Sequence, residues 1–552
     1  MSVRDLSGRT PLARRVAVPP GSAVHAPVRG TARVDLDAIL GQAAPDRLAA
    51  AVLAYLGLPG LLFLVGWTEP WVALLAGGAG AAALACVPGW HGGTGWPLGA
   101  GMTTLCLVLG LAWASATGAL HLVYATADWQ IRDAVLRDLA GGPWPVAYAN
   151  AADGAHWLLR APLGFFLPAG LVGRGFGFHA AQGALWIWAG LGLGLVLSLL
   201  ATLAQALAPA RPARAFAVLA LVFVLFHGLD ILPNVWLDWH AGAGLLASWG
   251  RGGEWWARLF QYSGHVTALL WAPNHALPAW LAALLLLRHW RSLAFLRGGV
   301  ALSLAAAAFW SPIAAAGAAL LSVAATIRGG MPALRAAATA PVNWLAVAFA
   351  MPLCVYLIAG AEAVPHGPLF AAHPPAEALE CWAMFLGVEV LAWAALAAML
   401  VRGWLFGLAI ALLCLLPAYV FGPGNEMTSR GGMAPLAVLA VACGAALLVP
   451  VPRQDGRGHC LARVGLLACA ALGAAGALME SSLLLTKSPW PASGRCSVPE
   501  AARQSVFQGS TNWSHYLAPW PDRELEGWLE QPELRPVPPP GGSPPCWPQG
   551  GV

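Results

Sequence analysis

The chain contains 552 residues, of which 59% are hydrophobic and only 10% are charged, and its formal net charge is +5. A soluble globular protein of this size does not tolerate a mean hydropathy of +0.66, because its surface must be polar. The composition therefore excludes a soluble enzyme and predicts a membrane protein. The apolar stretches are continuous instead of alternating, which favours membrane-spanning helices over a barrel.

The chain begins with a polar segment, residues 1–45, that is rich in proline and arginine and lacks the pattern of a cleavable signal peptide. We expect this segment to be a disordered cytoplasmic tail. A transmembrane domain is predicted over residues 46–486, where apolar runs of about 20 residues recur between clusters of glycine, proline and arginine. These runs predict about thirteen spans, all of them helices. The predicted spans are residues 47–67, 71–88, 99–124, 183–208, 212–229, 266–287, 294–309, 312–326, 342–361, 379–401, 403–421, 433–450 and 464–485.

Arginines set the predicted orientation in the membrane. With the N-terminus in the cytoplasm, every predicted inside segment carries arginine except the one near His91, as the positive-inside rule requires. We therefore expect a multi-pass protein of the bacterial inner membrane with a cytoplasmic N-terminus and a periplasmic C-terminus. The predicted periplasmic segments are residues 125–182, 230–265, 362–378 and 422–432 and the C-terminal tail, residues 487–552.

Two features of these periplasmic segments predict local structure. Residues 158–172 are apolar but too few for a span, and Pro162 and Pro168 interrupt them, so we expect an interfacial or re-entrant helix. Cys496 and Cys546 are the two cysteines of the polar tail. A periplasmic location would allow them to form a disulfide.

The first periplasmic segment opens with Asp128, directly after a predicted span. A short amphipathic stretch containing Arg132 and Arg137 follows, and then Trp144 between two prolines. This order resembles the first outer loop of GT-C glycosyltransferases. The resemblance implies an all-α polytopic fold with juxtamembrane helices on the outer face, and a polyprenyl-phosphate sugar as donor. It also implies that Asp128 is the general base for the acceptor hydroxyl, that Arg132 or Arg137 helps to hold the donor phosphate, and that Trp144 lines the cavity.

Asp128 also has a simpler interpretation, since an acid at this position often caps a helix or stays in solvent. Asp133 and Asp138 lie further along the amphipathic stretch and can pair with Arg132 and Arg137. We expect these two aspartates to be solvated.

The second periplasmic segment begins near Asp230 and ends near Gln261, and both side chains are candidates for substrate contacts. Just after it, Asn274 and His275 lie between two prolines inside an apolar run, where unpaired polar groups are costly. This pattern predicts either a broken helix with both side chains facing a cavity or an Asn–His pair that satisfies itself and fixes a kink. His265, His275 and Asp230 lack the helical spacing of metal ligands, so no metal site is predicted.

A third periplasmic segment contains Asn425, Glu426 and Arg430. It is similar to the Asn-Asp-x-x-x-Arg pattern of late outer loops in GT-C-like bacterial membrane proteins, with glutamate in place of aspartate. An arginine at the outer mouth of a helix suits a phosphate or pyrophosphate, because its guanidinium donates in a bidentate way. The alternative is an arginine that binds lipid headgroups.

No motif of the sequence requires a cofactor, and the residues leave open whether Mg²⁺ or Mn²⁺ assists. A P-loop, a GxGxxG dinucleotide fingerprint and an HExxH zinc helix are all missing from the sequence. The expected partners are the polyprenyl-phosphate sugar and membrane lipid, and we expect no nucleic acid.

The predicted function is transfer of a sugar from the lipid-linked donor to a cell-envelope acceptor at the periplasmic face. Glu389 offers an alternative, because an acid inside a predicted span is typical of a transport pathway. It favours a transporter or flippase of lipid-linked saccharide. A third possibility is a non-catalytic envelope scaffold that binds through its C-terminal tail.

Overall fold

The computed structural model describes residues 33–91, 95–150, 154–244, 247, 249, 252–450, 456–506, 516–539 and 541–547. Helices make up 69% of the structure, which confirms the predicted helical architecture. The α-helices are α1 (Leu36–Ile39), α2 (Arg47–Trp67), α3 (Pro70–Val72), α4 (Gly78–Ala85), α5 (Pro88–His91), α6 (Ala100–Ala114), α7 (Trp129–Ala140), α8 (Leu167–Phe176), α9 (Phe178–Leu207), α10 (Pro212–Val224), α11 (Ile231–His240), α12 (His265–Trp271), α13 (Pro273–His289), α14 (Leu293–Gly298), α15 (Val300–Trp310), α16 (Pro312–Arg328), α17 (Gly330–Thr339), α18 (Pro341–Ile358), α19 (Leu369–Ala372), α20 (Pro375–Leu386), α21 (Ala392–Leu400), α22 (Trp404–Leu415), α23 (Glu426–Ser429), α24 (Met433–Leu448), α25 (Gly456–Thr486) and α26 (Val498–Gln504). The strands are β1 (Val34–Asp35), β2 (Ala147–Asn150), β3 (His156–Leu159), β4 (His366–Pro368), β5 (Val401–Arg402), β6 (Tyr419–Phe421), β7 (Leu517–Pro519) and β8 (Leu534–Val537).

Six helical segments of the described chain are long and apolar enough to cross a membrane. They are Arg47–Trp67, Ala100–Thr117, Phe178–Leu207, Pro341–Ile358, Pro375–Leu400 and Arg457–Thr486. Large apolar side chains on these segments are exposed, among them Ile187 and Leu461, which water would penalise and lipid would not. The chain is therefore a helical membrane protein. Shorter apolar helices occupy several other predicted spans, and the count of about thirteen stays a prediction.

Helix α13 lies at the centre of the helical assembly. All of its residues are buried, and it packs against α24, α9, α15 and α16. Helix α9 packs in turn against α6, α8 and α10. The crossing of α6 and α9 is close because Gly110 faces Gly190 and Gly194, and a Cβ atom on Gly110 would collide with the α9 backbone.

The described N-terminal residues are anchored at the C-terminal end of α13. Arg288 donates two hydrogen bonds to the Asp46 carboxylate, at 3.0 and 2.5 Å, and both residues are buried. Strand β1 pairs in parallel with β5, and the Asp37 carboxylate accepts a hydrogen bond from the Trp404 backbone at 2.7 Å.

These contacts correct the prediction of a disordered tail over residues 1–45. Residues 33–45 contain β1 and α1 and pack against two other segments of the chain, because Leu36 and Leu40 are apolar and buried there. Residues 1–32 lie outside the described chain, so the prediction stands for them as a prediction.

The predicted periplasmic segments gather at the opposite end of α13. The Asn425 side chain of the third segment donates to the Leu259 carbonyl of the second at 3.0 Å. Strands β4 and β6 join residues 362–378 to the same region. Arg132 of the first segment donates a hydrogen bond to the Trp271 carbonyl, at the junction of α12 and α13.

The C-terminal tail is not a separate polar segment but folds onto the first predicted periplasmic segment. Strands β7 and β8 flank the β2–β3 hairpin in a four-stranded sheet of order β7-β3-β2-β8. Strand β8 runs parallel to β2, and β7 runs antiparallel to β3. Helix α26 packs against α7. We call this unit, formed by the described residues of 125–176 and 487–547, the cap.

Two aspartates of α7 fasten the two parts of the cap together. Asp133 accepts a hydrogen bond from the backbone N–H of Ser493 at 3.0 Å. Asp138 accepts hydrogen bonds from the Tyr148 hydroxyl at 2.6 Å and from the backbone N–H of Val498 at 2.9 Å. Both aspartates are buried. The prediction that they are solvated is therefore wrong, because the tail covers this face of α7.

Two other predictions concern the cap. The disulfide between Cys496 and Cys546 is confirmed. The interfacial or re-entrant helix predicted over residues 158–172 is replaced in its first part by the end of β3, and a short 3-10 helix at Leu163–Phe165 and the start of α8 follow. Its first residues join the sheet because β7 offers backbone partners, with Leu158 opposite Ala518.

Candidate functional site

The path from α12 to α13 is interrupted at Ala272. This residue has φ −146° and ψ 47°, outside the helical region, and Pro273 lacks the N–H that a continuous helix would use. An interruption at this point is common to both predicted alternatives. It leaves the Trp271 carbonyl without a helical partner, and Arg132 of the cap supplies the hydrogen bond.

Arg132 links the break to Asp128, the predicted base. Arg132 Nη2 donates to Asp128 Oδ2 at 2.9 Å across one turn at the start of α7. The Asp128 side chain makes no capping hydrogen bond to α7, so helix capping is not its role. One third of the Asp128 side chain is exposed, whereas Arg132 is buried. Arg132 Nη1 has no hydrogen-bond partner among the described residues, which leaves one donor for a ligand.

Two further predicted residues, Arg430 and His275, lie near this pair. The charges of Arg132 and Arg430 both act on His275. They also act on Tyr516 of the cap, where burial raises the pKa of the phenol, Arg132 and Arg430 oppose the rise and Asp128 adds to it. Segments far apart in sequence therefore place these five residues close enough for their charges to influence one another, and we call the group the arginine site.

Asn274 and His275 form a hydrogen-bonded pair at the start of α13. Asn274 Nδ2 lies 3.2 Å from His275 Nε2, and His275 Nδ1 lies 2.7 Å from Ser311 Oγ. This arrangement matches in part the predicted alternative in which the pair satisfies itself and fixes the kink. Asn274 Oδ1 is buried and has no hydrogen-bond partner in the described chain.

The three polar residues of the third predicted segment have different surroundings. Asn425 adopts a left-handed conformation with φ 46°, and its side chain is tied to the Leu259 carbonyl. Glu426 begins α23 and is buried, and its Oε1 atom lies 3.8 Å from Arg430 Nη2. Asn425 and Glu426 therefore shape the loop. Arg430 keeps 32% of its side chain exposed and is the member of the three that a ligand can reach.

A buried cluster of ionisable groups lies beneath the second predicted segment. His227 Nδ1 is 2.8 Å from Asp230 Oδ2, and His227 Nε2 is 3.0 Å from Glu254 Oε1. Trp256 Nε1 donates to Asp230 Oδ1 at 2.9 Å and to Glu389 Oε1 at 3.1 Å. All four ionisable side chains are buried, so little water screens the charges that they exert on one another.

The cluster has three potential metal ligands, His227, Asp230 and Glu254, whose ligand atoms lie within 4.8 Å of one another. The two carboxylates lie at ion-pair distance from opposite nitrogens of the imidazole, an arrangement in which His227 separates them and does not direct one nitrogen to a shared ion. Asp230, a predicted substrate contact, is 1% exposed and contacts this cluster. The packing is tight, because a Cβ atom on Gly228 would collide with the Glu389 carboxylate.

A cavity of about 370 Å³ lies beside the cluster. Its aromatic and polar lining residues are Trp249, Glu254, Trp255, Gln261, Thr267, Trp271 and Glu480. Gln261, a predicted site residue, donates to Glu254 Oε2 at 2.8 Å. Trp271 belongs to both features of this region, because its carbonyl binds Arg132 while its indole borders the cavity.

Two predicted site residues lie elsewhere in the cap. Arg137 pairs with Asp138 at 2.6 Å. Trp144 is buried, donates to the Leu139 carbonyl at 2.9 Å, and has the Arg174 guanidinium 5.0 Å from its ring centroid. Arg137 and Trp144 therefore stabilise the cap, and their described contacts do not join them to the arginine site.

His227, Glu254 and Glu480 are absent from the predicted site residues. A weak signal for His227 exists in the sequence, because it stands only three residues before Asp230 in the segment that follows α10. No comparable signal exists for Glu254 and Glu480, which are far from each other in sequence and meet at the cavity only in the folded chain.

No protein-family model, curated protein or solved structure matches this chain. Its class therefore follows from its own sequence and structure. These define a helical membrane protein with a folded cap, a broken central helix and a polar site beneath the cap.

Proposed function

We propose that this chain is an integral-membrane glycosyltransferase. It transfers a sugar from a polyprenyl-phosphate donor to a cell-envelope acceptor at the periplasmic face of the bacterial inner membrane. The observation that carries the proposal is the ion pair between Asp128, a partly exposed carboxylate, and Arg132, whose guanidinium also donates to the Trp271 carbonyl at the break before α13.

The two arginines supply what a phosphate leaving group needs. Arg132 Nη1 is a buried donor without a partner among the described residues, and Arg430 is one-third exposed. A buried guanidinium donor strengthens a charge-assisted hydrogen bond, because little water competes for the phosphate oxygens. Arg132 and Arg430 therefore bind the donor phosphate and stabilise the charge that develops on it during transfer.

Asp128 acts as the general base. Its bond to Arg132 uses Oδ2, so Oδ1 is the oxygen that meets the acceptor hydroxyl. The hydroxyl proton passes to Asp128 while the acceptor oxygen forms a bond to the anomeric carbon of the donor. The bond from that carbon to the phosphate oxygen breaks, and its electron pair stays on the polyprenyl phosphate.

Two observations support the periplasmic placement. Arg288 and Arg291 lie at the end of α13 opposite the arginine site, as the positive-inside rule expects for cytoplasmic residues. The cap contains the disulfide between Cys496 and Cys546, and such bonds persist in oxidising compartments such as the periplasm.

The test is a transfer assay with the purified full chain in lipid nanodiscs. A panel of polyprenyl-phosphate hexoses and pentoses is offered together with extracted envelope lipids and glycans, and transfer of labelled sugar is measured. Asp128→Asn keeps the shape of the side chain but removes the base, so turnover should fall at least a hundredfold. Glu526→Gln, an exposed acid of the cap, is the matched control and should transfer normally. Near wild-type transfer by Asp128→Asn would remove the catalytic assignment.

A second function, transport of lipid-linked saccharide, is favoured by one observation. Glu389 lies within the candidate span Pro375–Leu400 and is connected through Trp256, Asp230 and His227 to Glu254 at the cavity. Such a chain of ionisable groups suits proton movement along a transport pathway. Loss of saccharide translocation in Glu389→Gln, with transfer unaffected by Asp128→Asn, would favour the transporter.

A further inference from the structure

We propose that the cavity between the second predicted segment and α25 binds an uncharged sugar unit, which is the acceptor of the transfer. The role as acceptor site depends on the proposed function. The binding of a sugar does not, because it follows from the cavity itself. Its volume of about 370 Å³ falls within the range of roughly 300–1,000 Å³ that is typical of small-molecule sites.

Three indole rings give the cavity its apolar surface. Trp249, Trp255 and Trp271 all border it. Trp255 is 43% exposed, which is a large apolar area to leave uncovered on a loop. A pyranose ring has one face of C–H groups, and an indole face is a flat apolar surface that such a face can cover. An aromatic surface of this kind therefore favours binding of a sugar ring. A flexible polar ligand would bury little apolar area against it.

The polar groups on the cavity wall match the hydroxyl groups of a sugar. Thr267 Oγ1 and Trp249 Nε1 are buried atoms on lining residues and have no hydrogen-bond partner among the described residues. Burial without a partner costs free energy, so these atoms need a ligand or water. Gln261 is held through its Nε2 atom by Glu254 and Ser263, at 2.8 and 3.1 Å, so its amide oxygen serves as an acceptor.

The described lining of the cavity offers a phosphate no cationic partner. Glu254 and Glu480 are among its lining residues, and neither lysine nor arginine belongs to the described lining. An anionic ligand would therefore find cationic partners at the arginine site and none in this described lining. Trp271 stands between the two, with its carbonyl on Arg132 and its indole in the cavity. The phosphate-bearing donor therefore binds at the arginine site, and the uncharged acceptor binds in the neighbouring cavity.

The experiment measures sugar binding without any donor. The full chain in nanodiscs is titrated with methyl glycosides of glucose, galactose, mannose and N-acetylglucosamine and with the disaccharides maltose and cellobiose, by intrinsic tryptophan fluorescence and by saturation-transfer NMR. We expect saturable binding of at least one uncharged sugar. Glucose 6-phosphate should bind at least tenfold more weakly than glucose. Absence of saturable binding by every member of the panel overturns the proposal.

Two tryptophan variants locate the binding. Trp255→Ala removes the exposed indole of the cavity and should weaken sugar binding at least tenfold, and Trp255→Phe should recover part of the loss. Trp239→Ala is the matched control, because Trp239 is 75% exposed on α11 and is not among the lining residues. It should bind within twofold of wild type. Equal binding by the Trp255→Ala and Trp239→Ala variants overturns the assignment of the cavity.

The outcomes separate the cavity from the proposed function. Sugar binding that depends on Trp255, in a protein that shows no transfer, would support the cavity as a sugar site and refute the proposed glycosyltransferase activity. Transfer that depends on Asp128, in a protein whose cavity binds no uncharged sugar, would support the proposed enzyme activity and refute the cavity as the acceptor site.

Discussion

Replacing Asp138 with asparagine should open the cap. Asp138 is buried and its two oxygens have different partners. Oδ2 accepts from the Tyr148 hydroxyl and the Val498 N–H, and Oδ1 accepts from Arg137 at 2.6 Å and faces Arg535 at 3.7 Å. An asparagine places an NH₂ group at one of these positions. In either orientation, a donor then faces a donor, and the charge that balances the arginines is lost.

The size of the effect follows from these partners. Breaking a buried, hydrogen-bonded ion pair by removing one charge costs about 3–5 kcal/mol. Asparagine keeps part of the hydrogen bonding, so we expect a loss of about 3 kcal/mol, which corresponds to a roughly hundredfold larger fraction of open cap. The milder Tyr148→Phe removes one hydrogen bond and should cost about 1 kcal/mol.

Reduction of the disulfide between Cys496 and Cys546 reports cap opening directly. Both cysteines are buried, so dithiothreitol reaches the bond after the tail has separated from α7. The rate of reduction should rise up to a hundredfold in Asp138→Asn, severalfold in Tyr148→Phe, and not at all in the exposed control Glu526→Gln. A reduction rate in Asp138→Asn within twofold of wild type would refute the role of Asp138 in holding the C-terminal tail against α7.

Three further predictions concern topology, the disulfide and the donor. Reporter fusions after Arg335 and after Val552 should give opposite signals, because the positive-inside rule places Arg335 in the cytoplasm, and equal signals would contradict the orientation. Replacing Cys496 and Cys546 by serine should destabilise the cap by about 4 kcal/mol, since the bond closes a loop of 50 residues; unchanged thermal unfolding would count against this. Arg430→Ala should raise the donor KM at least tenfold, with Arg430→Lys in between because lysine lacks the bidentate fork, and steady-state kinetics with equal KM values would exclude Arg430 from the phosphate site.

The sequence predicts the helical membrane class and the broken helix because both follow from local signals. Long apolar runs predict helices regardless of their neighbours, and the polar pair Asn274–His275 beside Pro273 disfavours a continuous apolar helix at that point. The amphipathic helix α7 also follows from local periodicity. The disulfide is predictable for a simpler reason, since the polar tail contains only Cys496 and Cys546.

Long-range contacts explain what the sequence does not reveal. The burial of Asp133 and Asp138 depends on a tail that begins about 350 residues further along the chain, as the bonds from Ser493 and Val498 show. The periodicity of α7 alone does not indicate that the C-terminal tail covers this face of the helix. It therefore predicts solvated aspartates. The sequence does not reveal that Glu389 joins the Asp230 cluster for the same reason, because Glu389 belongs to a distant helix and reaches Asp230 through Trp256.

The cap sheet also determines the order in which the chain can be completed. Strand β2 lies before most of the helices, but its neighbour β8 follows all of those in the described chain and is about 390 residues away. At a synthesis rate of roughly 5–20 residues per second, β2 waits about 20 s or longer for this partner. During that time an open strand edge and two carboxylates that later become buried are exposed outside the helical assembly. The membrane helices are therefore inserted before the cap sheet is complete. A chaperone in the compartment of the cap would have the unpaired β2–β3 hairpin as a binding site during that time.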